Sequence, residues 1–199
     1  MSTAVIVLAA GASSRLGTPK QLLTYQGQTL LRRAAETAVV AAAGMPVIVV
    51  TGALHAELLP ELAGLSLLPV RCPSWALGMG ASLKTGLATL ESISSRWATV
   101  VVMLCDQPLV TPALLAELAA ARRRGRPIVA TEYGGVRGVP VLFEARAIAL
   151  LREITDAAGA AQLLRQHPEL VATVPFEGGA VDVDTPAQYA ALLAGRRGP

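Results

Sequence analysis

The stretch "AVIVLAAGASSRLGTPKQLL", Ala4 to Leu23, decides the fold. Its opening run is apolar without alternation, the mark of a strand covered on both faces. A loop of small residues follows at once, carrying one arginine and one lysine. Ligands of helix-covered sheets sit beyond the carboxyl ends of the strands, so this loop is where an anionic nucleotide is expected. Similar runs recur down the chain: "PVIVVT", "LSLLPV", "ATVVVMLC", "PIVATEY", "ELVATVP" and "AVDVD". Helical patterns separate them: "TLLRRAAETAVVAAAG" closing on Gly44, then "GASLKTGLATLESI", "TPALLAELAAARRR", "EARAIALLREI" and "TPAQYAALLAG". Each "TP" pair puts threonine at the N-cap and proline at the first helical position. Strands alternating with helices predict a Rossmann-like α/β fold, a mostly parallel sheet with helices on both faces.

A chain of 199 residues fits one domain spanning 1–199, with no linker or internal repeat to divide it. No stretch approaches the roughly 18 unbroken apolar residues of a membrane span, and no signal region opens the sequence, so a cytoplasmic protein with no membrane partner is expected. Cys72 and Cys105 stand apart without metal-ligand neighbours, which suits a reducing compartment. A net charge of +3 invites nucleic acid, but aromatic residues are scarce and no nucleic-acid module is legible. The run "RRRGR", Arg122 to Arg126, instead suits the negative end of the preceding helix.

Two familiar phosphate loops are excluded by spacing. The dinucleotide fingerprint needs G-x-G-x-x-G, whereas Gly11 is followed by Ala12 and Ser13. The Walker loop needs four residues between its glycines and lysine directly after the second, but Gly11 and Gly17 are further apart and Lys20 comes later. The chemistry still suits a polyphosphate: small residues let backbone N–H groups approach, and Arg15 and Lys20 bring charge from two points. An ordinary turn with solvated charges has the same composition.

"VVVMLCDQP" ends an apolar run in Asp106, at the same mouth as the loop. A carboxylate there is placed to hold magnesium together with substrate phosphates; it also fits a turn before the next helix. "AVDVDTP" repeats the arrangement, with Asp182 and Asp184 two apart and so on one strand face. His55 and His167 lack a nucleophile nearby in sequence, no serine sits in a G-x-S-x-G elbow, and neither cysteine has an evident base, so hydrolase readings fall away.

Taken together, the residues resemble the nucleotidyltransferases related to molybdenum cofactor guanylyltransferase, and most closely the molybdenum cofactor cytidylyltransferase branch. "LAAGASSRLGTPKQLL" is similar to that family's LAAG-x-S-x-R-M-G-x-P-K-x-L-L, "CPSWALGMGASLKTGL" to its N-P-x-W-x-x-G-M-x-x-S-L-x-x-G-L, "CDQPLVTPALL" to its metal-aspartate motif, and "VDVDTPAQY" to its D-I-D-T-P-E-D. Four motifs in order span nearly the whole chain. The resemblance implies the nucleotide-diphospho-sugar transferase type of fold. It implies Leu8, Ala9, Ala10, Gly11, Arg15 and Lys20 as nucleotide contacts, joined by Gly78, Met79 and Ser82. It implies Arg15, Lys20 and Asp106 as the catalytic set, with Asp106 and Asp184, or else Asp182, holding Mg2+. Ala10 stands where the guanylyl branch commonly has a second glycine, which favours CTP over GTP.

The implied activity is transfer of CMP from CTP to the phosphate of molybdenum-loaded molybdopterin, with molybdenum hydroxylase apoproteins as partners. Departures from the pattern are Cys72 for the usual asparagine, Val139 for a histidine, and an altered G-D-x-G-A at "ITDAAGAAQLL". They leave other readings open: a GTP-using enzyme, a sugar- or polyol-phosphate nucleotidyltransferase, or a cofactor-delivery module without turnover.

Overall fold

The computed structural model describes residues 2–13, 16–122 and 125–195. The chain opens with β1 (Thr3–Ala9), then a small hairpin of β2 (Thr24–Tyr25) and β3 (Gln28–Thr29) leads into α1 (Leu30–Ala42). Next come β4 (Val47–Thr51), α2 (His55–Leu62), β5 (Leu68–Arg71), α3 (Met79–Ile93) and β6 (Thr99–Leu104). The rest comprises α4 (Pro112–Ala120), β7 (Ile128–Tyr133), β8 (Val136–Glu144), α5 (Ile148–Glu153), α6 (Ala160–Gln166), β9 (Val171–Pro175) and α7 (Pro186–Leu193).

Seven strands form one sheet in the order β5-β4-β1-β6-β8-β7-β9, and all neighbours are parallel except β8, which runs against both β6 and β7. The chain leaves β1 to build β4 on one side and later β6 on the other, so the strand order reverses at β1. Such a reversal opens a crevice at the carboxyl ends of the strands. The expected mostly parallel sheet is therefore present, with its switch point at the strand that feeds the small-residue loop.

Period-two geometry splits the continuous apolar runs between two cores. Ala4, Ile6 and Leu8 of β1 face Leu83, Leu87 and Leu90 of α3, together with α5 and α6. Val5, Val7 and Ala9 face Leu31, Ala35 and Ala38 of α1, together with α2 and α4. Thr29, Thr111 and Thr185 each accept from the backbone N–H three residues on, capping α1, α4 and α7. Both "TP" signals are realised.

Three expectations need correction. "AVDVD" is not a strand: after a short turn at 177–180, Val181 and Val183 are buried in a third small core with Leu30 and Leu192 while making no ladder. The alternation is real, and tertiary packing rather than strand pairing enforces it. Helix α1 closes on Ala43 in the left-handed region, with Gly44 following at φ 88°, so the turn spans two residues rather than one. Finally, β8 goes unread in the sequence because Gly138 and Pro140 interrupt it; the ladder shifts register between Ala130 and Thr131, where such residues are tolerated. Helices α2 and α6 are likewise additional to those read from the sequence.

The seat of α3 depends on Gly86. A Cβ there would lie 2.8 Å from the Ile6 and Val50 methyl groups, and both are fully buried β-branched residues with little rotamer freedom. Gly86→Ala is expected to cost about 1–2 kcal/mol net of the helix-propensity gain, lowering Tm by about 3–6 °C. A thermal melt with Tm unchanged or raised would contradict this packing.

Candidate active site

The crevice at the switch point is a cleft of about 250 Å3. Leu8, Ala9, Ala10 and Gly11 from the end of β1 form one wall, and Trp75, Gly78, Met79 and Ser82 at the entry to α3 form the other. Lys20 and Asp106 close one end. The expected contacts thus meet in one place, apart from Arg15, which lies outside the described residues.

Three charged side chains converge at the closed end. Lys20 Nζ donates to Asp106 Oδ2 and, at 2.8 Å, to Asp184 Oδ1. The partners come from the loop after β1, the end of β6 and the segment before α7. Burial alone would lower the Lys20 pKa, but the Asp106 charge and the hydrogen bonds to Asp106 and Asp184 reverse this and hold the ammonium above the ordinary lysine range. Backbone contacts brace the cluster: Val183 N donates to the Asp106 carbonyl at 3.2 Å and Cys105 N to the Leu8 carbonyl at 3.2 Å.

Asp182 is placed differently from Asp184. Its Oδ1 accepts from Gln188 Nε2 at 2.8 Å, while Gln188 Oε1 accepts from Asp184 N and from Thr185 Oγ1. Burial, then the charges of Asp184 and Asp106, push the Asp182 carboxyl above its usual range. The segment therefore presents Asp184 to Lys20 and leaves Asp182 as a neighbouring charge.

The residues fit a divalent cation in one respect that the ion pair does not explain. Asp106 Oδ1 is buried without a hydrogen-bond partner, although its other oxygen is engaged. An orphaned carboxylate oxygen beside a second carboxylate is a hard-oxygen donor set of the kind magnesium and manganese take. The described residues hold no group of three or more His, Cys, Asp or Glu side chains able to enclose a metal by themselves.

Several expected residues have specific local reasons. A Cβ on Gly11 would meet no protein atom within 4 Å, so the space it leaves belongs to the cleft. At Gly78, φ is 131° and a Cβ would lie 2.6 Å from the Asp156 carbonyl oxygen; at Gly80 it would lie 2.1 Å from that of Thr155. The altered "ITDAAGAAQLL" segment thus presses on the start of α3, and Ala81 N donates to the Asp156 carbonyl at 3.1 Å. Cys72 is fully buried and accepts from Thr85 Oγ1 at 3.2 Å, which makes it a core residue. Met79 is substantially exposed at the rim, whereas Ser82 is buried in the wall. Cys105 is buried and its thiol is pushed up to about 12, so it stays protonated. His55 pairs its Nδ1 with Thr51 Oγ1 at 2.6 Å, apart from the charged cluster.

Three residues enter that sequence reasoning missed. Gln21 is buried in the lining of the cleft, Trp75 lies so near Gly52 that a Cβ there would be 2.9 Å from its ring, and Gln107 donates Nε2 to the Val139 carbonyl at 2.9 Å while its own Oε1 is buried without a partner. Nothing in composition marks them: Gln21 fills a variable motif position, and glutamine is ordinarily a surface residue. Trp75 stands at the fixed tryptophan of the N-P-x-W segment and Gln107 follows Asp106, so these two carried a positional hint.

A family model described as "MobA-like NTP transferase domain" matches residues 5–171. Among curated proteins, the chain is 35% identical to a nicotine blue oxidoreductase of Paenarthrobacter nicotinovorans, over 94% of this chain and 95% of that one. It is 36% identical to a molybdenum cofactor guanylyltransferase of Xanthomonas euvesicatoria, over 58% of this chain and 52% of that one. Among solved structures, Rv0371c of Mycobacterium tuberculosis H37Rv superposes with a TM-score of 0.80 at 30% identity, covering 98% of this chain and 99% of that one. A second structure of that protein, described as a complex with manganese, superposes at 0.77 with 27% identity and similar coverage.

The raised Asp182 carboxyl makes a signed prediction. A carboxyl whose folded pKa exceeds its unfolded value destabilises the fold fully above the folded pKa and not at all below the unfolded one. Asp182→Asn keeps an acceptor for Gln188 and removes the charge, so it is expected to raise Tm at pH 7. That gain should vanish near pH 3, where the wild-type carboxyl is protonated. A gain independent of pH, or none at pH 7, would contradict the electrostatic origin.

Proposed function

The chain belongs to the MobA-like NTP transferase domain family, and from that premise we propose that it transfers CMP from CTP to the phosphate of molybdenum-bound molybdopterin. The products are pyrophosphate and molybdopterin cytosine dinucleotide. The chain is a nucleotidyltransferase related to molybdenum cofactor guanylyltransferase; the base, the acceptor and the residue roles are the proposal. The observation that carries it is the Lys20, Asp106 and Asp184 cluster at the charged end of a cleft whose other walls are small, apolar and aromatic. A polyphosphate suits the first end and a nucleobase the second.

In the proposed reaction an acceptor phosphate oxygen forms a bond to the α-phosphorus of CTP as the bond to the pyrophosphate oxygen breaks. A phosphomonoester with a second pKa near 6 is already largely dianionic at neutral pH, so no general base is required. This accords with a site in which Cys105 stays protonated and neither histidine lines the cleft. The task left to the protein is to bring two polyanions together and stabilise the in-line transition state by position and charge. Lys20, with Arg15, holds the triphosphate, and Gly11 leaves room for it. Asp106 and Asp184 hold a divalent cation, Mg2+ in this proposal, which when bound neutralises phosphate charge.

The manganese complex of Rv0371c supports a divalent ion on this fold. Ala10, in place of the second glycine of the guanylyl branch, supports CTP. The molybdopterin acceptor rests on kinship with the guanylyltransferase and on the ordered motifs, as does hand-over of the product to molybdenum hydroxylase apoproteins in the cytoplasm. One catalytic domain spanning the whole chain is part of the same reading. Among the described residues no helix is long and apolar enough to cross a membrane.

The full-length likeness to a nicotine blue oxidoreductase raises a second reading, oxidoreduction. Both are tested in one preparation. Pyrophosphate release is measured with CTP or GTP, Mg2+ and molybdenum-loaded molybdopterin, and reduction of nicotine blue by a reduced nicotinamide dinucleotide is followed separately. CTP-dependent release is expected. Asp106→Ala should lower turnover by about 100-fold or more while changing nucleotide affinity only about threefold, because the carboxylate acts chiefly in the transition state. Equal losses in both would contradict that role; dye reduction without pyrophosphate release would favour the oxidoreductase.

A further inference from the structure

The buried side chain of Gln21 is used in an unusual way. It is 1% exposed, and its single amide nitrogen donates to two backbone carbonyls of the cleft wall, Ala9 O at 2.9 Å and Gly11 O at 2.7 Å. Its Oε1 accepts from Ser13 Oγ at 3.3 Å, and Ser13 Oγ accepts in turn from Lys20 N at 2.9 Å. With two carbonyls at the nitrogen and a hydroxyl at the oxygen, the amide has only one sensible orientation. The carbonyl between these two is also covered: the Ala10 oxygen lies against Gly52, where a Cβ would approach it to 2.3 Å.

Three successive carbonyls are thereby withdrawn from the wall. Each trans peptide is planar, so a carbonyl turned to Gln21 sends the following N–H, of Ala10 and of Ala12, to the opposite side. A wall whose carbonyls are already engaged has little to offer the donors of a nucleobase. The polar edge of cytosine presents two adjacent acceptors, O2 and N3, beside one donor, the 4-amino group, while that of guanine presents two adjacent donors, N1–H and the 2-amino group, beside one acceptor, O6. A donor-rich guanine edge would find no carbonyl to receive it, and leaving buried donors unpaired is where discrimination is large.

We propose that Gln21 is a positioning residue that sets base preference, sequestering the Ala9 and Gly11 carbonyls so that the wall accepts an acceptor-rich pyrimidine and rejects guanine. This rests on the reading of the cleft as a CTP site, and it adds a residue outside the nucleotide-contact set.

The test measures the affinities of the full chain for CTP and GTP with Mg2+ by calorimetry, in wild type and in Gln21→Met. Methionine fills a similar volume and donates nothing, so it frees both carbonyls. A loop merely loosened would weaken both nucleotides alike; the ratio between them is therefore the readout. Wild type is expected to bind CTP more tightly, and Gln21→Met to shift the CTP to GTP ratio toward GTP by about five- to tenfold, the worth of about one neutral hydrogen bond.

Gln21→Leu, whose side chain likewise cannot donate, should shift the ratio in the same direction and serves if the methionine variant does not fold. Wild-type preference for CTP with an unchanged ratio in the variants overturns the role of Gln21 and leaves the CTP reading standing. Wild-type preference for GTP overturns the CTP reading itself, and the inference with it.

Discussion

One ammonium group ties the site together. Lys20 reaches Asp106 and Asp184, residues 86 and 164 positions further along the chain, and so joins the loop after β1 to the end of β6 and to the segment before α7. Two carboxylates this close repel each other unless a cation lies between them, and removing the lysine leaves two like charges facing each other in a partly buried place. The loop cannot drift from the strand ends while this contact holds. The same contact keeps an ammonium group beside carboxylates whose oxygens suit a metal, so positive and negative chemistry share one small volume.

The sheet makes that convergence possible. Because β1 lies between β4 and β6, the segments leaving β1 and β6 emerge side by side, and the alternating burial of β1 into two cores fixes their height and direction. Small residues do the remaining work. Gly86 lets α3 sit on Ile6 and Val50, Gly78 and Gly80 admit the 155–158 loop against the start of that helix, and Gly52 admits the Ala10 carbonyl and Trp75. The approaches at Gly78, Gly80 and Gly52 shape one wall of the cleft, and Gln21 holds the other by its amide.

The parts legible in the sequence are those that repeat a local rule. Apolar runs marked six strands of the main sheet, and the "TP" caps marked the starts of α4 and α7. Lys20, Asp106 and Asp184 stood out because charged residues follow apolar strand patterns at one mouth. What escaped depends on contacts distant in sequence. Strand β8 tolerates Gly138 and Pro140 only because its partners bracket them at a register shift. The 181–184 segment keeps a strand's alternation without a strand's ladder, because Val181 and Val183 pack on Leu30 and Leu192. Gln21 reads as a surface glutamine until the loop folds back over it, and that Asp184 rather than Asp182 meets Lys20 follows from the bond of Asp182 to Gln188, which no spacing rule involves.

The central claim is that the cluster of Lys20, Asp106 and Asp184 is where the triphosphate and its metal meet. The most direct measurement is diffraction from crystals grown with CTP and Mn2+, with the manganese located by its anomalous signal. The account predicts that signal at the Asp106 carboxylate, the triphosphate along the Gly11 to Lys20 loop, and the Lys20 ammonium turned onto phosphate oxygen. Manganese or triphosphate bound away from Asp106, with the lysine still held between the two aspartates, would contradict it.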